Sequence, residues 1–145
     1  MQKFGFRETR LMAVVAAALA VPAWSQPASA PTLVALTSLE PGQWQLRSRS
    51  EPNENRSICL GDTQNLIQIR HGHATCSRFV IANDAKSATV HYTCPGAGHG
   101  RTTVRVETPR LIQLDSQGIA DNEPFALTFE GRRVGACGVA ANSTH

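Results

Sequence analysis

The sequence predicts a mostly β fold: a small antiparallel sheet, sandwich or open barrel with one candidate short helix and two disulfides. Three observations lead there. Several segments alternate apolar and polar residues with a period of two, as half-buried strands do. Gly, Pro, Asn and Asp separate these segments at short intervals. Four cysteines, Cys59, Cys76, Cys94 and Cys137, follow an N-terminal stretch laid out like an export leader.

The leader has a basic start in Lys3, Arg7 and Arg10, then the apolar run Leu11 to Val21, closed by Pro22 and Ala23. The run is too short for a lasting membrane span, and it has no polar face. A signal peptide is therefore expected over 1–23, with cleavage after Val21-Pro22-Ala23. Ala20 and Ala30 are alternative ends, although Pro31 would obstruct the latter. Residues 24–38 are expected as a flexible arm, 39–138 as a single β-rich domain, and 139–145 as a disordered tail. Removing the leader takes away Lys3, Arg7, Arg10 and Glu8, leaving 11 basic and 10 acidic residues. The mature chain then lacks the concentrated positive surface that a nucleic-acid partner requires.

Along the chain, Leu33 to Leu36 reads as a short edge strand and Glu40-Pro41-Gly42 as a turn. Trp44 and Leu46 then alternate with Gln43, Gln45 and Arg47, with Trp44 as a core anchor. Residues 50–56 are polar and turn-like. Asp62 or Thr63 is placed to cap a short helix over Gln64 to Arg70, which Gly72 ends, with a strand over Leu66 to Arg70 as the alternative. Strands are expected at Ser77 to Ala82, at Ala88 to Cys94 and at Arg101 to Thr108. Pro95 to Gly100 (PGAGHG) is expected as a glycine-rich connection with His99 on a mobile tip. Pro109 interrupts, a strand resumes at Leu111 to Leu114, and Asp115 to Glu123 reads as a loop. Phe125, Leu127 and Phe129 alternate along the next strand, and Gly131 is expected to turn the chain toward Arg133 to Cys137.

Even cysteines in an exported chain point to two disulfides. No pair has CxxC spacing, so a four-thiolate zinc site is disfavoured. Of the three pairings, Cys59–Cys76 with Cys94–Cys137 is expected, closing loops of about 18 and about 44 residues worth about 3 and about 4 kcal/mol of chain entropy.

Signals for chemistry are sparse. His71, His73, His91 and His99 are the candidate metal ligands, yet no HExxH-like spacing unites them. PGAGHG has no lysine and joins two strands, unlike a phosphate loop before a helix. There is no GxSxG around any serine. No catalytic residue and no cofactor is assigned.

Glu40-Pro41-Gly42-Gln43-Trp44, Cys59, Cys76, Tyr92-Thr93-Cys94 and the closing Arg133-Val134-Gly135-Ala136-Cys137 occur in that order. This arrangement resembles an uncharacterised family of small exported proteobacterial proteins, domain of unknown function number 3617. The likeness covers about Leu39 to Cys137. The short interval between Cys59 and Cys76 and the PGAGHG loop depart from the family's pattern. The resemblance implies an exported β domain and supplies no activity, ligand or site.

Three functional classes follow. The first is a periplasmic or secreted non-enzymatic domain, binding an envelope protein or small ligand or serving as a structural envelope protein. The second is a metal-dependent or histidine-based small hydrolase using His71, His73, His91 or His99 with Asp62 or Asp115. The third is an apolar-ligand carrier with a cavity lined by Trp44, Phe79, Phe125 and Phe129.

Overall fold

Period-two alternation becomes one antiparallel sheet in the computed structural model, which describes residues 30–138. The leader (1–23), the first part of the arm and the tail (139–145) lie outside the described residues. The seven strands are β1 (Gly42–Ser48), β2 (Arg56–Leu60), β3 (Ser77–Asn83), β4 (Ser87–Cys94), β5 (Gly98–Thr108), β6 (Leu111–Ala120) and β7 (Glu123–Gly135). Their order is β2-β1-β7-β6-β5-β4-β3. Strands β3 to β7 form a meander, and the β1–β2 hairpin joins it through β1 beside β7. β2 and β3 are therefore opposite edges, and the sheet is not closed into a barrel. Among the described residues no helix is long and apolar enough to cross a membrane.

One face of the sheet carries the core. Trp44, Tyr92, Leu114 and Phe129 point into it and are fully buried. The chain must travel from edge β2 to edge β3, and it does so across this face. A 3-10 turn, Thr63–Gln68, lies in that crossing and buries Leu66 and Ile67. Asp62 caps it, its carboxylate accepting from the Gln64 N–H at 2.9 Å.

A short helix, α1 (Val34–Thr37), covers the rest. This corrects the edge strand expected at Leu33 to Leu36. Four successive apolar residues fit either period. Helical winding puts Leu33 and Leu36 on one side, where both are fully buried, worth roughly 1.5–3 kcal/mol each. Two side-chain amides clamp the segment. Gln64 accepts from the Leu33 N–H at 2.9 Å, while Asn83 accepts from the Val34 N–H at 2.8 Å and donates to the Thr32 carbonyl at 3.0 Å.

Other boundaries also move. β2 falls partly where a polar turn was expected; it alternates Ile58 and Leu60 inward with Ser57 and Cys59 outward. The loop expected at Asp115 to Glu123 is mostly strand, because a two-residue turn suffices: Asp121 and Asn122 have φ of 55° and 64°, as a type I′ hairpin requires. Gly131 does not turn the chain. β7 runs through it, and Gly131 faces inward where an added Cβ would press on Ile112 and Leu46.

The cysteine pairing is corrected as well. The disulfides are Cys59–Cys137 and Cys76–Cys94, not Cys59–Cys76 and Cys94–Cys137. Gln43 of β1 is paired with Cys59 on one side and Gly135 on the other. Cys137 lies two residues past that point and closes on Cys59 with the Cα atoms 5.4 Å apart. Ser77 is opposite Thr93, so Cys76 and Cys94 are the next pair along the same ladder. Sheet register decides the pairing, and loop length does not. Gly42 allows the crossing: its φ is 145°, and an added Cβ would strike the Gly135 carbonyl.

Candidate functional site

Three of the four candidate histidines divide between the two faces of the sheet. His71 follows the 3-10 turn and reaches under the covered face. His91 and His99 stand on the open face, and His73 is exposed in the turn after His71. Among the described residues no three His, Cys, Asp or Glu side chains are placed to hold a metal ion.

On the covered face, the His71 Nε2 lies 3.2 Å from both the Ala97 and the Ile119 carbonyls. Carbonyls only accept, so Nε2 carries the proton. Nδ1 lies 3.0 Å from the Tyr92 hydroxyl, which donates to it. The Tyr92 ring meets the imidazole edge to face at 5.3 Å. Beside them Thr102 and Ser116, both buried, share a 2.7 Å hydroxyl contact. The glycines of PGAGHG make room for this group. Tyr92 is opposite Gly100, where an added Cβ would collide with the phenol ring, and one on Gly98 would press on the His71 Nε2. Gly98, His99 and Gly100 alternate within β5, so His99 is on a strand and not on a mobile tip. The inward glycines were a readable signal for a large side chain opposite them, and the turn interpretation hid it.

This network is built for packing. Both ring nitrogens of His71 are engaged with Tyr92 and backbone carbonyls, and Ser116 bonds to Thr102. Within this group no accessible nucleophile is set beside a base. Burial pushes the Tyr92 phenol above its ordinary value of 10.0, while the Ser116 and Thr102 hydroxyls and the Arg70 charge pull less strongly the other way. A raised native value means that stability from this group is complete below pH 10.0 and is lost as pH rises through the folded-state value. Tyr92 is the sole tyrosine, so phenolate absorbance reads it alone. We expect it to ionise above its ordinary value in the folded protein, and Tyr92→Phe to flatten the alkaline loss of stability. Ionisation at or below the ordinary value before unfolding would contradict this placement.

The open face is different. Phe79 is opposite His91, His91 opposite Arg101, and Arg101 opposite Gln117. These four residues form a row across β3, β4, β5 and β6. His99 stands two residues from Arg101, its ring centroid 5.9 Å from that of His91. His91, His99, Arg101 and Gln117, with Gly118, Phe125 and Ala126, border an open depression of about 420 Å³. Asp115 lies in the adjoining row, opposite Thr103, and Asp62 is spent on its cap. The structure thus brings together His91 and His99 on the open face, with Asp115 in the next row, and places His71, His73 and Asp62 elsewhere. Nor do the four aromatic residues line one cavity: Trp44 and Phe129 are fully buried in the filled core, whereas Phe79 is 69% exposed.

Comparison with known families, curated proteins and solved structures finds no match.

Proposed function

We propose that this chain is an exported, periplasmic or secreted domain that acts by binding, with the open face of its sheet as the recognition surface. The observation that carries the reading is the pair of disulfides, which engages all four cysteines. Such cross-links persist in oxidising compartments and are rare in the cytosol. The engaged His71–Tyr92 network and the exposed polar row on the opposite face favour recognition over catalysis. The leader-like N-terminus and the resemblance to family number 3617 support the same compartment.

Cell fractionation with thiol alkylation tests this. The expected result is a shortened chain outside the cytoplasm whose four thiols react only after reduction. A full-length cytoplasmic chain with reactive thiols would overturn it.

A further inference from the structure

Resting on that reading, we propose that the depression bordered by His91, His99, Arg101 and Gln117 binds a phosphate group. The argument begins with Arg101. Four other arginines are engaged: Arg105 on the same strand with Glu107 at 3.5 Å, and, at the far end of the sheet, Arg132 with Glu130 at 2.8 Å and Arg110 and Arg133 with Glu40 at 3.6 Å each. Arg101, like Arg47, Arg49 and Arg70, has no ion pair or side-chain hydrogen bond among the described residues, and of these four it is the one that borders the depression with His91 and His99. Asp115 shares a second, smaller depression with it yet makes no ion pair with it.

Around this free guanidinium the sheet register collects further donors. His91 flanks it on β4, Gln117 on β6, and His99 precedes it on β5. A guanidinium is permanently charged and has no acceptor, so the group is set against a metal cation and toward an oxyanion. A carboxylate has two oxygens, which the guanidinium fork alone can occupy. Two imidazoles and an amide in addition suit a group with three free oxygens. Phe79, beside His91, offers an apolar surface to whatever bears the phosphate. The site is open to solvent, so salt weakens it.

Inorganic phosphate is the first probe, titrated into the oxidised protein at constant ionic strength and followed by NMR of the imidazole and guanidinium nitrogens. The expected result is saturable shifts at His91, His99 and Arg101, weakened roughly tenfold or more in Arg101→Gln and unchanged in Arg105→Gln. Absence of saturation, indifference to Arg101→Gln, or equal loss in Arg105→Gln would overturn the site. Flotation with phosphatidylcholine vesicles, with and without phosphatidic acid, separates the sources. Arg101-dependent capture by the acidic vesicles assigns a lipid headgroup, and its absence alongside saturable phosphate binding assigns a soluble phosphate compound. Failure of phosphate binding leaves the fractionation result untouched, so the two proposals fail separately.

Discussion

Replacing Cys59 and Cys137 by serine is expected to lower the unfolding free energy by about 4 kcal/mol, and replacing Cys76 and Cys94 by about 3 kcal/mol. The order follows from loop length, since the sequence separations are 78 and 18. Chain entropy grows only with the logarithm of that length, which keeps the two values close. Against a domain stability of about 5–15 kcal/mol either loss is large. Urea unfolding of each double variant measures it. A greater loss from the Cys76/Cys94 pair would show that register strain or local packing outweighs loop closure. The pairing itself is checked by non-reducing tryptic mapping, because the four cysteines fall on four different peptides. Segments 57–70 and 134–145 should be linked, as should 71–78 and 87–101. Linkage of 57–70 to 71–78 would restore the short-range pairing and contradict the sheet order.

Where the sequence could be read, the information was local. Alternation marks β1, β4, β5 and β7 because each has one face in the core and one in water. Pro109 marks the β5–β6 turn because it cannot continue the ladder, and Asp62 marks the 3-10 turn because its carboxylate satisfies a free N–H. What could not be read depends on partners distant along the chain. The insertion of β1 between β2 and β7 brings Cys137 to Cys59, and nothing near either cysteine announces it. Tyr92 and His71 meet only because the edge-to-edge crossing passes beneath β4 and β5. Leu33 to Leu36 is helical because the core needs a cover there, a requirement absent from the four residues themselves. The open-face row has the same origin: Phe79, His91, Arg101 and Gln117 are ordinary polar-face or apolar positions on four strands, and register alone makes them neighbours.

Trp44 and Phe79 show how differently one residue class can weigh once register is known. Trp44→Ala is expected to cost about 3–5 kcal/mol, the range for removing a large aromatic side chain from a packed core. Its ring is fully buried, and its indole N–H donates to the Glu40 carbonyl at 3.1 Å. That bond fixes the turn into β1, and the Glu40 N–H in turn donates to the Pro109 carbonyl at 3.0 Å. Removing the indole therefore opens a cavity and also loosens the contact between the turn before β1 and the β5–β6 turn. Phe79→Ala should change stability by less than about 0.5 kcal/mol, since its ring is mostly in water on an edge strand. Chemical denaturation of the two variants in parallel tests the assignment of faces. A Phe79 loss comparable to that of Trp44 would mean that β3 turns the opposite face to the core, which would move His91's neighbour out of the open-face row and dissolve the binding surface with it.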